Sequence, residues 1–234
     1  FIDFSSAHRT YVYRINWGKK CTIVRQNLKM GIHLSVQEKK MKNCIVLLAE
    51  GFEETEAVLP VDMLRRANIG VRLAAVQKGA QMVNGAHSIA VAADTDVFQI
   101  CDEIKNGTLN DAVFCPGGMG GSTNLAKSEQ VRFVLEQMNT NGKIIAAICA
   151  APALVLAPLG LLDGKSFTCY PGMEKLLPYA PHAKPEAYRA ERAVLDGNLL
   201  TACGPAGASA LGFELIRLLC GEKEAVSVQK AMLF

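Results

Sequence analysis

The chain predicts an α/β fold with a mostly parallel sheet covered by helices on both faces. From residue 41 onward, short apolar runs rich in β-branched residues alternate with segments whose apolar positions recur at helical spacing. Half of the 234 residues are apolar, enough for one sizeable core and too few for a second full domain. Finally, the stretch KIIAAICAAPALVLAP (143–158) passes from strand character to helix character with no Gly or Asn between them, only Cys149.

The elements follow in order. Residues 43–49 (NCIVLLA) read as a buried strand. Residues 53–67 read as a helix with Val58, Val61 and Leu64 on its apolar face. A second strand is expected at 71–76, a short hairpin near 83–91, and a core strand at 111–115 (DAVFC) that runs into Pro116-Gly117-Gly118. An amphipathic helix at 130–138 precedes a central strand at 143–148 and a helix at 150–157, with Pro152 tolerated in the first turn. Residues 192–195 and 199–202 flank Asp196-Gly197-Asn198, a hairpin signal. A last helix is expected over about 206–219. Ligands of such sheets bind beyond the carboxyl ends of the strands, where the order reverses. The three strands that end near Ala49, Cys115 and Ile148 should therefore meet there.

Charge divides the chain. Residues 1–40 carry eight Lys/Arg against Asp3 and Glu38, whereas residues 41–234 hold 17 basic and 20 acidic residues. The folded part is mildly acidic and has no electrostatic footprint for nucleic acid. No apolar run approaches the roughly 18 to 20 residues of a membrane span, so no membrane role is expected. Residues 1–40 lack a sustained period and are expected to lie outside the native fold. The purine-rich codons implied by Gln37 to Lys40 would suit a ribosome-binding sequence ahead of a true start at Met41. A transit peptide is the alternative. The domain proper is then 41–234. Eight cysteines include no C-x-x-C pair, so no metal site is expected. Their apolar settings suit reduced thiols in a cytoplasmic protein.

A residue in a one-residue strand-to-helix turn is held in strained geometry with its side chain lifted from the sheet, the logic of a nucleophile elbow. Cys149 would also sit at a helix N-terminus, which favours the thiolate and lowers its pKa. The same spacing would also suit a small buried residue. Gly117 and Gly118 either let amides approach the site, forming an oxyanion pocket with Ala150, or simply make a tight turn.

AAICAAP (146–152), EGFEETEAVLPVDMLRRA (50–67) and VFCPGGMGG (113–121) together resemble the DJ-1/ThiJ/PfpI superfamily, its DJ-1/YajL-like branch in particular. The similarity runs in order from about Lys42 through LLTACGPAGAS (199–209) to the C-terminus. It implies a flavodoxin-like three-layer sandwich of the class I glutamine amidotransferase type, a homodimer, and one reactive cysteine per subunit. Carried over, the nucleophile is Cys149 and the essential carboxylate is Glu56, preferred by that match over Glu53 and Glu54. Gly117, Gly118, Ala150, Tyr170, Gly204 and Pro205 become oxyanion or substrate-binding residues.

The implied activity needs no cofactor. It is glyoxalase III or deglycase chemistry on a small aldehyde or a glycated thiol or amine, in carbonyl and oxidative stress defence. A redox sensor or redox-regulated chaperone using the same cysteine is the alternative. Two departures weigh against proteolysis. Tyr170 stands where many relatives have His, and Ala150 where the PfpI proteases have their general base. His87 and His182 are expected to be solvated loop residues. Cys203 stands where relatives have Arg or Gln, as a resolving thiol or merely a small residue.

Overall fold

The computed structural model describes residues 11–17, 20–26, 41–179 and 185–234. The chain falls into two units, Phe1–Lys40 and Met41–Phe234. In the first unit, β1 (Tyr11–Trp17) and β2 (Lys20–Gln26) pair antiparallel from Tyr11↔Gln26 to Trp17↔Lys20. No clean strand pattern marks that stretch of the sequence.

The second unit begins with β3 (Asn43–Leu48), α1 (Glu54–Arg66) and β4 (Gly70–Ala75). A small hairpin follows, β5 (Met82–Asn84) with β6 (Ala90–Ala92). Next come β7 (Thr95–Asp96), α2 (Val97–Lys105), β8 (Ala112–Cys115), α3 (Met119–Ala126), α4 (Glu129–Thr140) and β9 (Ile144–Ile148). The chain closes with β10 (Ala193–Asp196), β11 (Leu199–Ala202), α5 (Ala208–Cys220) and α6 (Glu222–Ala231). The main sheet has seven strands in the order β10-β11-β9-β8-β3-β4-β7, parallel except for β10.

Alternation along the strands feeds both faces. Ile45, Leu47, Val113, Cys115, Ile145 and Ala147 join one apolar cluster with residues of α2 and α4. Cys44, Val46, Leu48, Ala112, Phe114, Ala146 and Ile148 join the other with residues of α1, α5 and α6. This is the expected three-layer α/β sandwich. The chain runs from β3 to β4 on one side and returns to β8 on the other, so the order reverses between β3 and β8. Loops leaving β3, β8 and β9 meet at that edge. Among the described residues, no helix is long and apolar enough to cross a membrane.

Three expectations need correction. The segment after Cys149 is not a regular α-helix. Pro152–Leu156 is π-helical, with the Ala157 amide bonded to the Pro152 carbonyl, and a 3₁₀ turn, Ala157–Leu159, follows. Pro152 and Pro158 cannot donate to an α-helical ladder, and the widened turn accommodates them. Val58, expected on the buried face of α1, is 46 % exposed, because that face is set by Ala57, Pro60, Val61 and Leu64. α2, α3 and α6 form where no helix was expected. In α2, Asp96 caps the Gln99 amide at 2.9 Å.

Candidate active site

The loop from β3 into α1 places the first side chain. Glu53 is the N-cap of α1, and its carboxylate accepts the Glu56 amide at 2.7 Å. That cap fixes the first helical turn and leaves Glu56 with no solvent exposure. A Cβ added to Gly117 would fall inside 3 Å of both Glu56 Oε2 and Cys149 Cβ. One added to Gly204 would lie 3.8 Å from Glu56 Oε1. The carboxyl group thus lies between the two glycines and beside the cysteine. The three acids of this helix start divide their work: Glu53 caps, Glu54 binds the neighbouring hairpin, and Glu56 faces Cys149.

Cys149 has φ +64°, a left-handed conformation that costs a residue with a side chain about 1 to 3 kcal/mol. Its amide donates to the Ala202 carbonyl at 2.9 Å, and its carbonyl accepts the Tyr170 amide at 2.8 Å. Flanking segments therefore hold the strained turn on both sides. The elbow read from the sequence is present.

Gly118, with φ +84°, lies against the backbone of Gly51 to Glu53, where a Cβ would come within 2.5 Å of the Gly51 carbonyl oxygen. This close approach brings its amide to the Cys149 sulfur, where it joins the amide of Ala150. α3 packs beside it in the same way, with the Gly121 amide donating to the Gly51 carbonyl at 2.9 Å. Gly51, Gly120 and Gly121 meet there backbone to backbone.

The electrostatics differ from the sequence expectation. Burial pushes the Glu56 carboxyl up to about 7, with the Glu53 charge adding to it. Neither Glu56 oxygen has a hydrogen-bond partner at bonding geometry. The Cys149 thiol and the Gly117 amide face it and favour its ionised form, but more weakly than burial opposes it. Burial first, and then the Glu56 charge, push the Cys149 thiol up to about 12, while the Gly118 and Ala150 amides pull it down. The thiol is therefore not acidic while Glu56 is ionised. With the segment after Cys149 only briefly helical, two placed amides replace the expected helix dipole. Once Glu56 carries a proton its charge no longer opposes the thiolate, and the amides remain.

A cleft of about 200 Å³ opens above Cys149, lined by Met119, Ala150, Tyr170 and Met173. Tyr170 is 51 % exposed at its mouth. Gly204 is buried, with its would-be Cβ 3.5 Å from the Tyr170 ring. Pro205 is exposed and opens a short 3₁₀ turn, Pro205–Gly207. A larger cleft of about 660 Å³ between α2 and α4 has the buried Cys101 in its wall, a thiol raised by burial and without a carboxyl partner of the Glu56 kind.

Sequence reasoning missed Met119 and Met173, which line the cleft, and the link between Glu54 and His87. His87 is solvated as expected, its side chain 70 % exposed, but it has a partner. Its ring Nδ1 lies 2.7 Å from Glu54 Oε2, and its amide donates to Glu54 Oε1 at 2.6 Å. Burial works to raise the Glu54 pKa, but hydrogen bonds from the side chain and amide of His87 outweigh it and the net direction is down. The hydrogen bond to Glu54 raises His87 in turn. The Gly85 backbone leaves no room for a side chain against the Glu54 carboxylate, which fastens the β5–β6 hairpin to the start of α1. His182 lies outside the described residues.

Protein dj-1beta of Drosophila melanogaster is 35% identical over 193 residues, 82% of this chain and 97% of that protein. Deglycase PH1704 of Pyrococcus horikoshii is 28% identical over 175 residues, 75% of this chain and 98% of that one. The crystal structure of a mutant of the DJ-1 superfamily protein STM1931 from Salmonella typhimurium superposes with a TM-score of 0.75 at 32% identity, covering 83% of this chain and 99% of that one. The profile of the DJ-1/PfpI family matches residues 42–218. With a flavodoxin-like sandwich, a cysteine in a strained elbow and a buried carboxyl beside it, the chain belongs to the DJ-1/PfpI family.

Proposed function

We propose that the protein is a cofactor-independent enzyme acting on small reactive carbonyls, with methylglyoxal as the test substrate and lactate as the product. The observation that carries this reading is the fully buried Glu56 carboxyl, raised to about 7 beside Cys149. A group that titrates near neutrality can both donate and accept a proton. The cleft above Cys149, about 200 Å³, has room for a three-carbon aldehyde.

In the proposed sequence the thiolate of Cys149 adds to the aldehyde carbon. The new alkoxide faces the Gly118 and Ala150 amides and takes the proton held by Glu56, giving a hemithioacetal and leaving Glu56 as the carboxylate. Glu56, as the carboxylate, then removes the proton on that carbon and returns it to the neighbouring carbon, converting the hemithioacetal into a lactoyl thioester. Water hydrolyses the thioester to lactate and regenerates Cys149. The relative named Deglycase PH1704 supports the wider class of thiol chemistry on carbonyl adducts. Lactate release from methylglyoxal, followed by a lactate-specific assay, should be abolished in Cys149→Ser. A wild-type chain that makes no lactate sinks the reading.

The second reading, a redox sensor, is favoured by the same cradle. A protonated Glu56 and two amides would also hold a Cys149 sulfinate. A cytoplasmic location is part of this proposal, and the apolar settings of most of the cysteines would suit it. We further propose a homodimer, for which the exposed Val58 on α1 offers apolar surface. Light scattering at micromolar concentration should return twice the chain mass, and a monomer overturns the proposal.

A further inference from the structure

We propose that Cys203 is a resolving thiol for Cys149, so that hydroperoxides convert the pair reversibly into a disulfide. The argument begins with sheet register. In a parallel ladder, the amide of a residue donates to the carbonyl of the residue that precedes its cross-strand neighbour. The Ile145 amide donates to Asn198, and Ile145 pairs with Leu199. By the same pattern the Cys149 amide, bonded to the Ala202 carbonyl at 2.9 Å, stands Cys149 opposite Cys203, one step beyond the pair Ile148↔Ala202. Neighbouring strands lie about 4.8 Å apart, inside the span of about 4.4 to 6.8 Å that a disulfide needs between Cα atoms.

Accessibility separates Cys203 from its rivals. Among the described cysteines, Cys44, Cys101, Cys115 and Cys169 are buried, whereas Cys149, Cys203 and Cys220 are partly open. Cys220 ends α5, about 18 Å along that helix from its start beside the site. Cys203 Sγ packs against the backbone of Gly207, where an added Cβ would lie 3.2 Å from the sulfur.

The chemistry balances with a hydroperoxide as the oxidant. The Cys149 thiolate attacks the terminal peroxide oxygen, an S–O bond forms and the O–O bond breaks. The departing oxygen takes a proton, from Glu56 or from water, and leaves as water or an alcohol. Cys203, as thiolate, then attacks the Cys149 sulfur; the S–S bond forms, the S–O bond breaks, and hydroxide leaves as water with the proton that Cys203 gave up. Two electrons pass from the two thiols to one peroxide. A dithiol reductant reverses the bond by exchange, whereas a second peroxide acting on an unresolved sulfenic acid gives a sulfinate that does not revert. This inference needs only a reactive Cys149 and does not depend on the carbonyl substrate.

The full-length chain, treated with a small molar excess of hydrogen peroxide, alkylated and digested with trypsin without reduction, decides the matter. The peptides spanning 144–165 and 193–217 should be joined, with the joint released by dithiothreitol. Cys203→Ser, or Cys203→Ala if the serine variant folds poorly, should instead accumulate Cys149 sulfinate and keep it after reduction. The proposal is overturned if wild-type Cys149 goes to sulfinate while Cys203 stays free to alkylate. It is equally overturned if the joined peptide is 166–175, which carries Cys169, or if the link runs between chains. The wild-type map gives the answer without any variant.

Discussion

Glu56→Gln should form lactate from methylglyoxal at about a hundredth to a ten-thousandth of the wild-type rate, the usual worth of a positioned acid–base group. Gln keeps the size of Glu and one donor, so it can still face Cys149 sulfur from between Gly117 and Gly204. It cannot accept the carbon-bound proton of the hemithioacetal or hand it on. The loss should fall on kcat more than on KM, because the Gly118 and Ala150 amides and the cleft are untouched. Peroxide-driven oxidation of Cys149 should survive the same substitution, since an amide can still donate to an oxidised sulfur. A variant that makes lactate at the wild-type rate removes Glu56 from the reaction and puts the sensor reading first.

The same substitution should stabilise the fold, but only at high pH. The Glu56 pKa rises from an ordinary 4.5 to about 7 in the folded protein, so between those values the folded state binds more protons than the unfolded chain. Stability from this group is therefore fully present below about 4.5 and is lost as pH rises through about 7. At 1.36 kcal/mol per pKa unit, ionising Glu56 inside the fold costs about 3 kcal/mol above pH 7. Glu56→Gln should recover about that amount at pH 8 and almost none at pH 4. Urea unfolding at the two pH values measures the difference. An equal effect at both would mean that folding leaves the Glu56 pKa at its ordinary value.

Much of this architecture could be read from periodicity. β3, β8 and β9 are short runs buried on both faces, and their carboxyl ends meet as the fold class requires. The strand-to-Cys-to-helix junction also announced itself, because nothing in 143–158 can serve as a loop. What stayed hidden depends on contacts across the chain. α3 contains three residues poorly suited to a helix, Gly120, Gly121 and Ser122, and it forms because it can lie on the backbone of Gly51 and Phe52. α2 buries only Val97, Ile100 and Cys101, too short a period to register. The Glu54–His87 link joins residues 33 apart in sequence and needs the β5–β6 hairpin to exist first. The Cys149 thiol departs from expectation because local sequence supplies the amides but not the burial or the neighbouring charge, which come from folding.

The glycine contact between α3 and the loop after β3 has a further consequence. Where two segments meet through side chains, their spacing breathes as rotamers exchange; where they meet backbone to backbone, covalent geometry and a 2.9 Å hydrogen bond from Gly121 to Gly51 set it. The Gly118 amide and the Glu56 carboxyl are mounted on the two sides of that joint. Their separation from the Cys149 sulfur is thus preorganised: the donors already stand where negative charge will develop, and no reorientation is needed when it does.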